Sequence, residues 1–324
     1  MVTIKDVAKA SGYSNAMVSY ALNGKGNLKE ETREKILKVA QELNYIPNSA
    51  AVALRSKKTN MVGLILRDIF NPTFARLASR VEKALTEHGY RLSIFTTNGQ
   101  KDINKSIMDF YGGGKLDGLI YSVIALDEES LQSLENLQNS VVISVSEMSD
   151  VEYGAYQATE HLFKQGHQIV THIASPKEHP NSKFMIKGFE RALKVYGVKV
   201  NDDLIAYGGF ELEEAAKAAE KLIQTFGTPL AIFVASDYAA FGVMAFLRKK
   251  GLKVPEDVAL VGWDDISFAE SVGLTTVSLS QEAIAQNAVH KLLNIIEADK
   301  NLPDIIIPSY ELVVRETCRL IKNY

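Results

Sequence analysis

From residue 61 to residue 298 the chain repeats one pattern: a short apolar run, a longer stretch with apolar side chains at helical spacing, then another apolar run. The runs fall at 61–66, 92–95, 118–122, 141–145, 169–174, 231–235 and 258–261, and the helical stretches at 73–88, 103–111, 128–137, 154–165, 182–196, 211–226, 237–250 and 282–298. Strands that are apolar throughout need cover on both faces, and a helix between two strands makes the crossover that a parallel pair requires. The pattern therefore predicts an α/β fold with parallel sheets. There are too many strand–helix units for one small sheet, so two lobes are expected. The lobe break is placed at the polar stretch 146–152, with the chain crossing back near 273–281 and 299–309. The run 305–307 reads as a further buried strand. Ligands of such open sheets bind beyond the carboxyl ends of the strands.

Composition narrows the class. A chain of 324 residues that is 46% hydrophobic can bury two or three cores, which excludes a disordered protein. The single cysteine, Cys318, cannot form an internal disulfide, and the first residues lack the apolar run of a signal peptide, so a cytoplasmic protein is expected. No apolar run approaches the ~18–20 residues of a membrane span. A net charge of -3 argues against nucleic acid as a partner of the chain as a whole. That average hides an asymmetry, because residues 1–58 carry ten basic and five acidic side chains, +5, and residues 59–324 carry 26 and 34, or -8. Opposite charge on two segments suggests two physical roles.

The basic segment reads as three short helices. Thr3 caps the first with Asp6 as its capping-box partner, and Ile4, Val7, Ala8 and Ser11 share a face before Gly12 stops it. Ser14 caps a second whose inward residues are Val18, Ala21 and Leu22, ending at Asn23-Gly24; a third, 30–44, buries Ile36, Leu37, Ala40 and Leu43. This is the outline of a helix-turn-helix unit, although small three-helix bundles also dock proteins. After Pro47 a helix-favouring run, 48–55, is only two turns long and is expected to order only against a partner. The domains are therefore placed at 1–46, 47–59 and 60–324.

Catalytic and cofactor patterns are not found in the sequence. Gly112-Gly113-Gly114-Lys115 is followed by no Ser or Thr and completes no dinucleotide fingerprint. His161, His167, His172 and His179 have no metal-ligand spacing and read as surface or strand histidines, and Cys318 reads as a packed small residue. No enzyme, cofactor or metal is expected. Carboxylates after strands are more suggestive: Asp68, Asp237 and the pair Asp264-Asp265, with Trp263 beside the pair. Such groups accept hydrogen bonds from hydroxyls and stack on sugar-like faces. Each also fits a helix cap, an equally good reading for Asp237, whereas at Asp264 the capping role can pass to Asp265.

The motifs Thr3-Ile4-Lys5-Asp6-Val7-Ala8, Val18-Ser19-Tyr20-Ala21-Leu22-Asn23, Leu43-Asn44-Tyr45-Ile46-Pro47-Asn48 and Ala51-Val52-Ala53-Leu54 closely resemble the headpiece of LacI/GalR-family transcription regulators. The resemblance continues through Val62-Gly63-Leu64-Ile65, Asp68-Ile69-Phe70-Asn71-Pro72, Asp117-Gly118-Leu119-Ile120 and the run 258–265, so it covers essentially the whole chain. It implies an all-α helix-turn-helix headpiece, a hinge helix, and a two-lobed, periplasmic-binding-protein-like α/β core acting as a homodimer. The implied DNA-binding residues are Thr3, Ile4, Lys5, Ser14, Asn15, Ala16, Ser19, Tyr20, Asn23, Lys29 and Tyr45, with Asn48, Ala51 and the minor-groove wedge Leu54 in the hinge. The implied effector-binding residues are Asp68, Phe70, Asn71, Phe74, Met185, Ser236, Asp237, Trp263, Asp264 and Gln281.

Four positions depart from the family pattern. Tyr20 stands where an arginine commonly follows Val-Ser, and Lys29 replaces a serine cap; Met185 replaces an arginine, and Ser236 an asparagine. The reading is a repressor of carbohydrate uptake or catabolism genes that binds a pseudo-palindromic operator in double-stranded DNA. Its operator affinity is expected to answer to a sugar-like or sugar-acid effector between the lobes; Arg67 offers a cation to an acidic or phosphorylated ligand, although a solvated arginine is the better reading of it. The alternative is a core controlled by a protein corepressor, which the changes at Met185 and Ser236 favour.

Overall fold

Helix boundaries near the N-terminus follow from capping chemistry. In the computed structural model, which describes residues 2–23, 26–46, 58–97, 105–122, 128–143, 148–177, 179, 181–298 and 300–318, the chain divides into Met1–Thr59 and Asn60–Tyr324. In the first unit α1 spans Ile4–Ser11, α2 Asn15–Asn23 and α3 Glu30–Glu42. The Thr3 N–H and hydroxyl both donate to Asp6 Oδ2, at 2.8 and 2.7 Å, and hold the Asp6 carboxyl below its ordinary range. Gly12 ends α1 with φ 77°, a left-handed conformation open to glycine. Ser14 Oγ then accepts from the Met17 N–H at 3.3 Å and starts α2. Val7, Val18 and Ile36 are fully buried where the three helices meet. Leu37 departs from its expected place: it is 40% exposed, because α3 presents Ile36 and Ala40 to the bundle instead. The hinge residues Asn48, Ala51 and Leu54 lie outside the described residues.

The second unit holds two sheets. β1 (Met61–Leu66), β2 (Arg91–Thr96), β3 (Gly118–Ser122) and β4 (Ser140–Ile143) form a parallel sheet in the order β2-β1-β3-β4. Its connecting helices are α4 (Pro72–Glu87), α5 (Lys105–Gly112) and α6 (Glu128–Glu135). After α7 (Met148–Lys164) come β5 (Val170–Ala174), α8 (Ser182–Val195), β6 (Ile205–Tyr207), α9 (Leu212–Phe226), β7 (Leu230–Val234), α10 (Asp237–Lys250), β8 (Val258–Trp263), α11 (Ser267–Ser271) and β9 (Thr275–Ser278). The chain then returns as α12 (Gln281–Ile296), which packs on α4, β3 and β4 of the first lobe, and ends at β10 (Glu311–Val313). The second sheet runs β10-β9-β8-β7-β5-β6, parallel except where β10 pairs antiparallel with β9. Buried apolar strands with helices on both faces are what the repeating pattern requires.

Two expectations for the second unit are corrected, and three strands are added to those expected. The helix expected at 154–165 begins at Met148, inside the polar stretch where the lobe break is placed, so α7 starts six residues before its expected start. The run 305–307 is not a strand: Ile306 is 89% exposed and the segment passes irregularly between α12 and β10. Strands β6, β9 and β10 were not legible as apolar runs. Cys318 is buried and its thiol meets the Leu260 carbonyl at 2.9 Å. Among the described residues no helix is long and apolar enough to cross a membrane.

Candidate DNA-reading helix and ligand cleft

The α2 helix turns one face inward, on Val18 and Ala21, and leaves Ser14, Asn15, Ala16 and Tyr20 exposed. Tyr20 is 50% exposed, and its ring lies against Gly26, where an added Cβ would come within 3.0 Å of Tyr20 Cγ. Ser19 breaks the expected grouping. At 5% exposure it sits on the packed side of the helix, so its hydroxyl is withdrawn from the face that holds Asn15, Ala16 and Tyr20. Thr3, Lys5 and Lys29 are exposed, Ile4 and Tyr45 are half-buried against the headpiece core, and Asn23 ends α2. Lys29 is the residue before α3, and its side chain makes no capping hydrogen bond there.

In the second unit the carboxyl ends of the strands converge on a cavity of about 100 Å³. Six expected residues line it: Asn71, Phe74, Met185, Trp263, Asp264 and Gln281. After β1, Asp68 Oδ1 accepts from the N–H groups of Phe70 and Asn71, and Asn71 Oδ1 in turn accepts from the Thr73 N–H and caps α4. That turn directs Asn71, Thr73 and Phe74 to the cavity and fixes Asp68 as a backbone anchor. From the other lobe, Asp264 follows β8 with φ 106°, its N–H bonded to the Val277 carbonyl at 2.8 Å. Thr73 Oγ1 donates to Asp264 Oδ2 across the cleft at 2.9 Å. Burial pushes the Asp264 carboxyl up to about 7, against the opposing pull of Thr73 and Arg76.

Four expected residues do not reach the cavity. Phe70 points to solvent, 83% exposed. Asp68 spends its carboxylate on the turn. Ser236 caps α10 by accepting from the Ala239 N–H at 3.1 Å. Asp237 is fully buried beneath the cleft, accepting from the Ile266 N–H at 2.9 Å and from Thr276 Oγ1 at 2.6 Å, and burial holds its carboxyl well above the ordinary range. Gly262 makes room for it, since a Cβ there would lie 2.1 Å from Asp237 Oδ1. Asp265 does not cap α11; it pairs with Arg315 Nη2 at 2.7 Å. Arg67 is also committed elsewhere, to Glu211 at 3.0 Å, with its guanidinium 5.9 Å from the Phe210 ring centre.

The cavity also takes Thr73, Ser122, His179, Asn181, Phe210 and Tyr310, which sequence reasoning did not single out. Their shared signal is position: Ser122 closes β3, and His179 and Asn181 lie between β5 and α8. His179 is thus no surface histidine. Its Nδ1 accepts from the Asn181 N–H at 3.2 Å, its ring meets Phe210 edge-on at 4.8 Å, and burial, helped by Arg67, pulls it down to about 4.

Comparison with known proteins covers both units. The family described as bacterial regulatory proteins, lacI family, matches residues 3–48, and that described as periplasmic binding proteins and sugar binding domain of LacI family matches residues 59–322. The HTH-type transcriptional repressor PurR of Vibrio vulnificus is 31% identical over 333 residues, covering 99% of this chain and 100% of that protein. Catabolite control protein A of Priestia megaterium is 32% identical over 316 residues, covering 93% and 95%. Among solved structures, a transcriptional regulator CelR–cellobiose complex aligns with TM-score 0.69 at 27% identity, over 98% of this chain and 100% of that one. The Lac repressor dimer bound to operator and the anti-inducer ONPF aligns with TM-score 0.79 at 23% identity, over 98% and 99%.

Proposed function

Because the chain belongs to the LacI family of bacterial regulatory proteins, we propose that it is a sequence-specific repressor of carbohydrate uptake or catabolism genes, acting in the cytoplasm as a homodimer. The observation that carries this reading is the exposed face of α2, where Asn15, Ala16 and Tyr20 stand clear of a packed core. Small amides and apolar groups on such a helix read base edges in the major groove, while Thr3, Lys5, Ser14 and Lys29 supply phosphate contacts. Ile4 and Tyr45 support these contacts from the headpiece surface. Two copies on a two-fold axis read two half-sites of a pseudo-palindrome. The roles of Asn48, Ala51 and Leu54, including insertion of Leu54 between base pairs, rest on the family resemblance.

The effector in this reading is a small carbohydrate-like molecule held in the cleft by Asn71, Phe74, Met185, Trp263, Asp264 and Gln281. The cellobiose of the CelR relative and the strand-end position of the cavity support it. A ligand that prefers one arrangement of the lobes shifts operator affinity by its differential affinity for the two arrangements, typically ~1–3 kcal/mol. An intact cavity favours a small molecule over a protein as the controlling ligand.

The test is selection of the full chain on random double-stranded DNA followed by footprinting of the enriched sequence. Enrichment of an inverted repeat with both halves protected is expected. Retention of DNA without enrichment of any sequence overturns the reading.

A further inference from the structure

We infer that α2 reads A·T base pairs: Asn15 bonds the major-groove edge of an adenine, and Ala16 together with the ring of Tyr20 packs on thymine methyl groups, so each half-site carries adjacent A·T pairs where the helix enters the groove. This rests on the reading of α2 as the DNA-reading helix and deepens it, from specific binding to the bases that are read.

The composition of the helix limits what it can recognise. α2 is Asn15-Ala16-Met17-Val18-Ser19-Tyr20-Ala21-Leu22-Asn23 and holds no charged side chain. In the major groove guanine is matched by arginine or lysine and cytosine by a carboxylate. The amide of Asn instead matches N6 and N7 of adenine, and a methyl or aromatic group matches the C5 methyl of thymine. Burial narrows the choice further. Val18 and Ala21 belong to the headpiece core, Ser19 is 5% exposed, and Met17 and Leu22 pack against the same core. Ser14, one residue before the helix, is the acceptor that starts it. Asn15, Ala16 and Tyr20 are the side chains of the first two turns left exposed: an amide, a methyl and a phenol.

Placement joins the two apolar groups. Ala16 and Tyr20 are one turn apart and share a face. The Tyr20 ring rests on Gly26, where an added Cβ would lie 3.0 Å from Tyr20 Cγ and 3.1 Å from Cδ2, and the φ of 85° at Gly26 also suits glycine. The ring thus has a fixed wall on one side and solvent on the other, and a side chain placed before binding loses little freedom on contact. The cations of the headpiece stand off this helix, Lys5 on α1, Lys29 before α3 and Arg33 on α3, where they can draw phosphates without selecting a base.

The test uses the full chain and the duplex that it selects from random DNA. The enriched inverted repeat should hold adjacent A·T pairs in each half, and two small changes to that duplex separate direct contact from DNA shape. Uracil in place of thymine removes only the C5 methyl, and 7-deazaadenine in place of adenine removes only the N7 acceptor. Each change at the pairs read should weaken binding by roughly three- to tenfold in each half-site. The uracil penalty at one thymine should vanish in Tyr20→Ala and persist in Tyr20→Phe, because the ring and not the hydroxyl meets the methyl. The deazaadenine penalty should vanish in Asn15→Ala. A half-site without adjacent A·T pairs overturns the inference, as does an A·T half-site in which either penalty is missing or survives removal of its side chain; in these outcomes specific DNA binding stands. A selection that enriches no sequence overturns the DNA-binding reading itself, and the inference falls with it.

Discussion

Asp264 is held by three constraints at once: a positive φ of 106°, a backbone bond to Val277 and a side-chain bond to Thr73 of the opposite lobe. A side-chain-bearing residue persists in that region only where its surroundings fix it, and such residues concentrate at ligand sites. Its carboxyl is raised from an ordinary 3.8 to about 7, so between those values the folded chain holds a proton that the unfolded chain has lost. The Asp264 contribution to stability is therefore complete below about pH 4 and lost as pH rises through about 7. His172 and His179, both lowered to about 4, act in the opposite sense: the unfolded chain protonates them below the ordinary 6.5, so stability rises with pH across that interval. Asp264→Asn removes the first contribution and leaves the second. Urea unfolding of the core, followed by Trp263 fluorescence, should show stability rising more steeply between these pH limits in the variant than in the wild type. Identical pH dependence would mean that Asp264 ionises normally. Its place at the cavity was legible because Asp265 beside it offered a second candidate for the helix cap, which left Asp264 for the cleft. Asp237 and Ser236 were not separable from it in sequence, because a cap, a buried anchor and a ligand contact all put a polar residue at a strand end. His179 was missed because sequence spacing does not say which strand end a histidine reaches.

At the scale of elements, the close crossing of α7 and α8 positions the second lobe's share of the cleft. An added Cβ at Gly188 would lie 2.1 Å from the Glu152 carbonyl oxygen, and one at Gly154 would lie 2.9 Å from Trp263 Cη2. The first contact is with backbone and has no rotamer to escape into. Gly188→Ala should separate the two helices and lower core stability by about 1–3 kcal/mol, read as a fall in the denaturant midpoint. An unchanged midpoint would show that the helices move apart freely. These helices, like α1 to α3, were readable from apolar periodicity and capping residues. The strands that were not readable share a physical reason. β9 buries Thr275 and Thr276, whose hydroxyls serve the Arg315 N–H and the Asp237 carboxylate, so polar residues occupy positions where an apolar run would signal a strand. β6 and β10 are three residues long and carry no pattern of their own. The run 305–307 failed the other way: apolar residues there form no ladder, and hydropathy alone does not supply a neighbouring strand to pair with.

At the scale of the whole molecule, a +5 segment of 58 residues precedes a -8 core, and the two charges should be separable by experiment. Phosphate contacts release counter-ions, so operator affinity falls with salt by a log–log slope of about -0.9 for each phosphate neutralised. An uncharged effector releases none, and its affinity for the core should be nearly flat over the same range. Lys29 offers the sharpest test of which side chains carry the DNA term. It precedes α3, is exposed, and makes no capping hydrogen bond, so its loss should leave the headpiece fold intact. The N-terminus of α3 also favours an anion near this ammonium. If Lys29 meets a phosphate in each half-site, Lys29→Ala should reduce the magnitude of the slope by about two in a dimer while the selected DNA sequence stays the same. Binding isotherms at several salt concentrations supply the slope, and a second selection supplies the sequence. A slope unchanged from wild type removes Lys29 from the interface. A changed sequence preference would make it a reader of bases instead.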